Sequence, residues 1–322
     1  MRVFDAEALS RTLSYPALVD VLEAMFKTGC ESPERHHHTL TRDGATLGLH
    51  LLMPAWKLAK AGSGERSYLG LKAVNVFPGN GARGLGSVLG AYLLFDGETG
   101  QPLAVLDGTT LTYWRTAGAS AVASRLLARP DASVMTMVGA GNLAPYIVRA
   151  HASVRPIGKV MIWNRTRARA EDAAQRIGEH FKGRIEVATD LDAAVSVSDI
   201  VSAATNSREP LIRGRTLKRG AHVDLIGAFT PEMRETDEEA VKRARVFVDV
   251  MASAMKEAGD ILQPLAAGAI GKDHVKGDLA DLLHGRVQGR QSPDEITLFK
   301  SCGAALEDLA AAIHVYSSAA PS

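Results

Sequence analysis

The stretch Val134-Met-Thr-Met-Val-Gly-Ala-Gly-Asn-Leu-Ala144 decides the fold of this chain. An apolar run of strand length ends in Gly139-x-Gly141, and a helical pattern follows. Glycines let the backbone approach a pyrophosphate closely, the N-terminus of the next helix attracts anions, and the small Ala144 allows tight packing of helix on strand. Glycine turns also serve ordinary loops, so the surrounding sequence must decide. We predict a dinucleotide-binding turn whose cofactor contacts are Gly139, Ala140, Gly141, Asn142 and Leu143.

A second strand lies where this fingerprint expects the residue that reads the ribose. Lys159–Asn164 is a short apolar run about twenty residues beyond the glycine turn, and Asn164-Arg165-Thr166-Arg167 follows instead of an acidic residue. An amide, a hydroxyl and guanidinium groups suit a 2′-phosphate. The alternative is that the two arginines are solvated residues at the start of a helix. We predict cofactor contacts from Asn164, Arg165 and Thr166, and NADP(H) as the preferred cofactor with NAD(H) as the alternative.

Strands and helical segments then alternate along the chain. Strand patterns occur at 184–188, 199–205, 220–227 and 246–250, with a short helical stretch at 191–197. Such alternation predicts an α/β fold of Rossmann type, with a doubly wound parallel sheet covered on both faces. Because ligands lie beyond the carboxyl ends of the strands in such sheets, Thr205 and Gly227 are expected beside the cofactor. Thr205 alternatively serves only as a helix cap.

The first third of the chain has a different pattern. A helix is predicted over 14–26, followed by alternating strands at 35–40, 46–53, 69–77, 87–96 and 102–107 that suit an antiparallel sheet, and by a helix over 111–127. A late helical stretch over 295–314 is expected to pack back on the N-terminal domain or the cleft, with 317–322 as a frayed tail. The predicted domains are an N-terminal α+β substrate and dimerisation domain (1–115), a dinucleotide-binding domain (116–290) and a C-terminal helix (291–322) completing the first.

Composition sets the class of protein. The 322 residues suffice for two domains, and 37 basic against 36 acidic residues indicate neither a nucleic-acid nor a membrane-surface partner. No apolar run approaches the roughly 20 residues of a membrane span, and the first residues lack a signal-peptide core. The two cysteines, Cys30 and Cys302, do not have metal-site spacing, and the same holds for the His36-His37-His38 tract. No metal is therefore predicted. A cytoplasmic enzyme is expected.

At this point the chain resembles the ornithine cyclodeaminase/mu-crystallin family of NAD(P)-dependent enzymes. The resemblance runs from about residue 33 to 314 and implies a homodimer joined through its N-terminal sheets, with a substrate pocket between the domains. It rests on short blocks in one order: Pro33-Glu-Arg35, Leu71-Lys72, Leu94-Phe-Asp-Gly-Glu-Thr-Gly100, Leu111-Thr-x-x-Arg115-Thr-Ala117, Val138-Gly-Ala-Gly141, Asn164-Arg-Thr166, Gly227-Ala-Phe-Thr-Pro-Glu-Met-Arg234 and Leu298-Phe-Lys-Ser-x-Gly303.

The resemblance implies roles for individual residues. Arg35 matches the arginine that holds the substrate carboxylate, and Lys72 matches the pocket lysine near that carboxylate and the reacting carbon–nitrogen bond. Arg115 matches an arginine at the junction of cofactor and substrate, and Ser87 lies where the family approaches the nicotinamide amide. The residues alone favour surface positions instead: an exposed strand for Arg35, a solvated sheet edge for Lys72 and a helix start for Arg115. Only the resemblance reverses this interpretation.

One departure from the cyclodeaminases discriminates within the family. Those enzymes place an aspartate just after the glycine pair, whereas this chain has Ala228-Phe229-Thr230-Pro231 there. Losing a general base costs about 10²- to 10⁴-fold in rate, so a cyclodeaminase of this sequence would be impaired. Phe229 suits a compact substrate ring. Asp224, two residues ahead of the Ile226-Gly227 pair, is either a catalytic orienting residue or a satisfied buried carboxylate.

The resulting hypothesis is an NAD(P)H-dependent reductase of cyclic ketimine acids. It would convert Δ1-pyrroline-2-carboxylate to L-proline, and its six-membered homologue Δ1-piperideine-2-carboxylate to L-pipecolate, with Lys72 or an ordered water as the proton source. The alternatives are an ornithine cyclodeaminase, an alanine or imine dehydrogenase, and an NADPH-binding protein of the mu-crystallin kind.

Overall fold

In a computed structural model that describes residues 1–319, residues Met1–Arg115 together with the chain from Ala304 onward form one unit, and Thr116–Gly303 form a second. The first boundary between the units falls between Arg115 and Thr116. The second differs from the predicted boundary at 290 and lies between Gly303 and Ala304. Of the tail predicted to fray, Ser317 and Ser318 belong to a helix, and residues 320–322 lie outside the described residues.

The first unit is built on a six-stranded sheet. The strand order is β1-β6-β5-β4-β3-β2, antiparallel throughout except that β1 pairs parallel to β6. The strands are β1 Arg2–Phe4, β2 His36–Arg42, β3 Ala45–Lys57, β4 Tyr68–Val76, β5 Val88–Asp96 and β6 Pro102–Asp107. The antiparallel sheet predicted from the alternating pattern is therefore present, and β1 was missed because three residues are too short to show a period.

Helices cover one face of this sheet. The last of them packs on β3, β4 and β5 and against the second, and it buries every residue from Ala305 to Ala312. Leu18, Leu22 and Met25 repeat at helical spacing and form the buried stripe of the second helix. The helices are α1 Ala6–Thr12, α2 Tyr15–Thr28, α3 Gly108–Leu127, which crosses the boundary between the units, and α11 Ala305–Ser318.

The second unit contains an eight-stranded sheet in which every pairing is parallel. The order is β13-β12-β14-β11-β10-β7-β8-β9. Its strands are β7 Val134–Val138, β8 Lys159–Trp163, β9 Arg184–Val187, β10 Ile200–Ala203, β11 His222–Leu225, β12 Ala244–Val248, β13 Val275–Asp278 and β14 Ile296–Lys300. Its helices are α4 Ala144–Val154, α5 Arg167–Gly178, α6 Leu191–Val197, α7 Glu238–Arg243, α8 Met251–Glu257, α9 Gly259–Ala266 and α10 Leu279–Leu283.

The chain order of this sheet reverses between β7 and β10. From β7 the chain moves outward through β8 to β9, and it then returns to place β10 on the other side of β7. Such a reversal opens a crevice at the carboxyl ends of the two central strands, which is where doubly wound sheets bind ligands. The Rossmann-type fold class is thus confirmed.

The late segment 295–314 corrects a sequence prediction. It was expected to be one helix, but Ile296–Lys300 is a strand at the interior of the parallel sheet, between β12 and β11, and only Ala305–Ser318 is helical. All five residues of β14 are buried. A short run that is buried at every position has no solvent-facing residues whose period would distinguish a strand from a helix. Among residues 1–319 there is no helix with the length and apolar character to cross a membrane.

Candidate active site

The glycine turn after β7 has the backbone that the fingerprint requires. Gly139 has a φ of +104°, and a Cβ there would lie 2.7 Å from the carbonyl oxygen of Ala204 and 3.1 Å from Cγ2 of Thr205. The turn and the end of β10 therefore touch across the crevice. A Cβ on Gly141 would meet no atom within 4 Å, and α4 begins three residues later at Ala144. This open approach in front of a helix N-terminus fits a pyrophosphate.

Helix α5 contacts the glycine turn through the side chain of Arg176. The guanidinium of Arg176 donates from Nη2 to the carbonyl oxygen of Ala140 at 3.1 Å, and its Nε donates to Asp172 at 3.0 Å. The amide of Gly139 donates to the carbonyl of Trp163 at the end of β8. The glycine turn is thus hydrogen-bonded to both α5 and β8. The contact from Arg176 was not predicted from the sequence, because Arg176 lies 37 residues along the chain from Gly139.

The predicted ribose-reading residues lie at the carboxyl end of β8. Asn164 is half-buried and donates from Nδ2 to the carbonyl of Thr166 at 3.0 Å, whereas Arg165 and Thr166 are exposed. Arg167 is also exposed and pairs with Glu171 one turn along α5, at 2.8 Å. An exposed pair of this kind contributes only about 0.3–0.5 kcal/mol, so it holds Arg167 weakly.

A buried carboxylate that sequence reasoning missed joins the loops after β10 and β11. Glu235 accepts hydrogen bonds at Oε1 from the amide and hydroxyl of Thr205, at 2.7 and 2.9 Å, and at Oε2 from the amide of Gly227 at 2.7 Å. Both predicted cofactor contacts at these strand ends are therefore held by one side chain. Burial raises the pKa of Glu235, and nearby Lys300 opposes this rise.

A buried ion pair lies next to this carboxylate. Oδ1 of Asp260 accepts from the amides of Glu235 and Thr236 and from the hydroxyl of Thr236 at 2.7–3.0 Å, and its Oδ2 lies 3.7 Å from Nζ of Lys300. Lys300 is fully buried at the end of β14. Burial lowers its pKa, but Asp260 and neighbouring acidic groups raise it more, and the ammonium form is retained.

Asp224 lies in the middle of the parallel sheet. Its carboxylate, fully buried, accepts from Ser120 at 3.0 Å, from Ser202 at 2.7 Å and from Nε2 of His151 at 3.0 Å. Burial raises the pKa of Asp224, but these contacts lower it further, so the group is ionised. Of the two alternatives for Asp224, these surroundings favour the satisfied buried carboxylate, and its catalytic role stays a prediction.

His222 is equally enclosed on the same strand. Its Nδ1 lies 2.9 Å from Oγ1 of Thr297 on β14. Burial lowers the pKa of His222 to about 3, so the ring is neutral at any working pH and has the character of a core histidine.

In the first unit, Lys72 occupies a buried position on a central strand. It lies on β4 between β3 and β5, it is 1% exposed, and its Nζ is 2.6 Å from Oδ2 of Asp308 on α11. The surface alternative for Lys72 is therefore wrong. Burial lowers the pKa of Lys72 to about 8, helped by the neighbouring positive charges of Arg115 and Arg35 and opposed by Asp308.

Arg115 joins the same cluster from α3. Its Nε donates to Oδ1 of Asp308 at 2.9 Å, and its Nη1 donates to Oε2 of Glu307 at 2.8 Å. The residue is 6% exposed, which excludes the surface alternative for Arg115 as well. Burial lowers the pKa of Arg115, but the two carboxylates raise it more. Sequence reasoning found both cations but not the two acidic residues, because adjacent acids in the first turn of a helix usually read as a solvated, favourably placed pair.

The remaining predicted residues are placed as follows. Arg35 is half-buried just before β2, and its charge reaches Lys72 closely enough to lower the pKa of the latter. Ser87 is exposed just before β5, where its carbonyl accepts from the amide of Phe77 at 2.8 Å. Phe229 is half-buried in the loop after β11. The substrate and cofactor roles assigned to these three residues stay predictions.

The histidine tract and the cysteines form no cluster of ligands. His36 and His38 lie on the exposed strand β2, with His38 opposite His50 on β3, and their ring centres are more than 6 Å apart. Burial raises the pKa of the Cys30 thiol to about 11. Within the described part of the chain, no group of three or more His, Cys, Asp or Glu side chains could hold a metal ion.

Comparisons with known proteins agree over nearly the whole chain. A family model described as the ornithine cyclodeaminase/mu-crystallin family matches residues 14–322. The Δ1-pyrroline-2-carboxylate reductase of Colwellia psychrerythraea is 36% identical over 315 residues, 97% of each chain. The solved structure of Thermococcus litoralis Δ1-pyrroline-2-carboxylate reductase in complex with NADH and L-proline superimposes with a TM-score of 0.92 at 31% identity, covering 99% of this chain and 97% of that one. An archaeal alanine dehydrogenase dimer with bound NAD gives a TM-score of 0.87 at 30% identity, covering 99% and 95% of the respective chains.

Proposed function

Because the chain belongs to the ornithine cyclodeaminase/mu-crystallin family, we propose that it reduces cyclic ketimine acids, converting Δ1-pyrroline-2-carboxylate to L-proline and Δ1-piperideine-2-carboxylate to L-pipecolate. It is an oxidoreductase that acts on carbon–nitrogen double bonds and uses a nicotinamide cofactor. The observation that carries the proposal is the buried Lys72 ammonium, which lies 2.6 Å from the carboxylate of Asp308. Burial lowers the pKa of Lys72 to about 8, which suits an acid that must donate a proton near neutral pH.

The reaction adds a hydride to carbon and a proton to nitrogen. A bound reduced nicotinamide supplies the hydride, and the turn at Gly139 and Gly141 fits its pyrophosphate. An iminium accepts hydride more readily than a neutral imine, so a proton donor must lie near the ring nitrogen. Lys72 is our candidate for that donor. Arg35 and Arg115 are proposed to act with it on the substrate carboxylate, since guanidinium groups bind carboxylates with paired hydrogen bonds.

The loop after β11 favours reduction over cyclodeamination. Ala228-Phe229-Thr230-Pro231 carries no carboxylate. The nearest buried acid in that loop, Glu235, already accepts three hydrogen bonds from Thr205 and Gly227, so it has little capacity to act on a substrate amine. A half-buried Phe229 offers an apolar contact instead.

Cofactor choice and assembly complete the proposal. We propose that NADP(H) is preferred, with Asn164, Arg165 and Thr166 at the 2′-phosphate, because three polar or basic side chains and no acid follow β8. We also propose a homodimer, since the related archaeal alanine dehydrogenase is a dimer.

A direct assay distinguishes the candidate functions. Oxidation of NADPH or NADH is followed at 340 nm with Δ1-pyrroline-2-carboxylate, and in parallel with pyruvate plus ammonia. L-ornithine with catalytic NAD⁺ is assayed for release of ammonia. We expect turnover with the cyclic ketimine to exceed the others by at least about 10²-fold, the scale of one well-placed acid–base group.

The other outcomes identify the alternatives. Proline formed from ornithine alone would indicate a cyclodeaminase, and turnover of pyruvate with ammonia would indicate an alanine dehydrogenase. Tight NADPH binding without turnover of any imino acid would indicate a binding protein.

A further inference from the structure

We propose that Asp308 is the positioning residue that holds the Lys72 ammonium in place and keeps it protonated for transfer to the ketimine nitrogen. The inference deepens the proposed function and rests on it. Nothing in the sequence marks Asp308 for this role, because it lies in an alanine-rich helix more than two hundred residues from Lys72.

The geometry makes Asp308 a bridge between two cations. Its Oδ2 lies 2.6 Å from Nζ of Lys72, and its Oδ1 accepts from Nε of Arg115 at 2.9 Å. The carboxylate is fully buried and Lys72 is almost so. A carboxylate shared between two fixed donors has little rotational freedom, so it fixes the position of the ammonium nitrogen as well.

The charges around Lys72 assign Asp308 a distinct electrostatic role. Burial, Arg115 and Arg35 all favour the neutral amine of Lys72, and Asp308 favours the ammonium. Tyr92 is also buried, and burial and Asp308 raise its pKa, so it remains a neutral phenol. Burial also raises the pKa of the nearby Cys30 thiol, to about 11. This thiol is therefore neutral at neutral pH and adds no negative charge near Tyr92. Without Asp308, Lys72 would lose its proton at a lower pH.

Glu307 is a matched neighbour with a different contact. It precedes Asp308 on α11, it is equally buried, and its Oε2 pairs with Nη1 of Arg115 at 2.8 Å. Asp308 is the acidic group among the leading influences on the pKa of Lys72. Removing either charge therefore perturbs Arg115, whereas only removal of Asp308 takes the anion away from Lys72.

The proton step balances without any further reagent. An Nζ–H bond of Lys72 breaks as an N–H bond forms on the substrate nitrogen. The hydride from the reduced nicotinamide forms the new C–H bond, so the imine is reduced and the cofactor is oxidised. Neutral Lys72 then regains a proton from water. Asp308 exchanges no proton with the substrate in this step.

The test is the pH profile of kcat/KM for the full chain with Δ1-pyrroline-2-carboxylate and reduced cofactor. Because the ammonium is the active form, activity of the unaltered protein should fall as pH rises through about 8. We expect Asp308→Asn to move this basic limb to lower pH, on the order of 1 to 3 pH units, the shift that a close opposite charge produces. Glu307→Gln should leave the midpoint of the limb where it is, even if it lowers the rate.

Further measurements keep the test decisive. Asp308→Glu retains the negative charge. The midpoint of its basic limb should therefore be closer to that of the unaltered protein than the midpoint for Asp308→Asn is. In the ligand-free protein, the ¹³Cε resonance of Lys72, assigned with Lys72→Arg, should titrate near pH 8. This readout remains available if Asp308→Asn fails to fold.

Three results would overturn the inference. These are an unshifted limb in folded Asp308→Asn, an equal shift in Glu307→Gln, or a Lys72 resonance that titrates at the ordinary lysine pKa. Absence of ketimine turnover in the unaltered protein contradicts the proposed function instead, and the Lys72 titration is independent of it.

Discussion

Asp224 is a fully buried carboxylate with several hydrogen-bond donors around it. Its carboxylate accepts from two serines and a histidine inside the parallel sheet. Asp224→Asn replaces an acceptor by a donor facing donors and leaves His151 without its anion. We expect the free energy of unfolding to fall by about 3 to 5 kcal/mol, the cost of breaking a buried pair, measured by urea denaturation.

The same variant separates the two alternatives for Asp224. If its role is structural, kcat of the folded fraction at low temperature should stay within a few fold of the unaltered value. A drop of about 10²-fold or more with unchanged stability would assign Asp224 to catalysis.

Arg165 tests the cofactor preference. Arg165→Ala removes an exposed guanidinium after β8 without disturbing any buried contact. A hydrogen bond to a charged group contributes about 1.5–3 kcal/mol, so KM for NADPH should rise about 10- to 100-fold while KM for NADH changes little. Arg169→Ala, an equally exposed change one turn along α5, serves as the control. Equal rises for both cofactors would contradict the assignment.

For single residues, the sequence predicted the basic residues of the candidate site but not the acidic residues that pair with them. Lys72 and Arg115 were found because the family blocks contain them, and both proved buried. Asp308 and Glu235 were not predicted, because a single acidic residue belongs to no repeating pattern in the sequence. Nothing there distinguishes a buried acidic residue from a solvated one. Only the fold brings Asp308 to Lys72 and Glu235 to Thr205.

Among the elements, the loops after β10 and β11 depend on one another through Glu235. Glu235→Gln keeps the side-chain shape but turns an amide toward at least one of the donors on Thr205 or Gly227. A buried unsatisfied donor costs about 1–3 kcal/mol, so we expect KM for the cofactor to rise about 10- to 100-fold. Stopped-flow fluorescence of the reduced cofactor would measure the matching loss of binding.

The control for this change lies in the same loop. Glu232→Gln makes the same substitution at an exposed position three residues earlier and should leave cofactor binding within about 2-fold. If both variants bind the cofactor as the unaltered chain does, Glu235 does not organise these loops for it.

Element prediction succeeded where a pattern was long and failed where it was short. The five main strands of the first sheet and the strands from β7 to β12 follow from alternation or from apolar runs between turns. The strand β14 was taken for helix because Ile296-Thr-Leu-Phe-Lys300 is wholly buried and precedes an alanine-rich helix. Its place between β12 and β11 is a long-range pairing that no local signal reveals.

For the whole molecule, assembly is the property most open to test. Every residue of the edge strand β2 is exposed, and Leu40 on this strand and Leu47 on the neighbouring β3 present apolar surface. Long exposed edges are normally covered or blocked. We expect light scattering to give twice the chain mass of 34.2 kDa, and Leu40→Glu with Leu47→Glu to give the single chain mass.

Val197→Glu, at an exposed apolar position in the second unit, is the matched control and should leave the dimer intact. A monomeric unaltered protein, or a double variant that remains dimeric, would contradict assembly through this sheet.

The late position of β14 and α11 in the chain bears on biosynthesis. A ribosome has made thirteen of the fourteen strands found in residues 1–319 before it reaches Ile296–Lys300, yet this strand must enter between two that are already complete. Translation at about 5–20 residues per second leaves the gap open for seconds after β13 is made, with apolar edges exposed to other nascent chains. Both units thus depend on the segment that carries β14 and α11, and until it is made the polypeptide should be a client for chaperones.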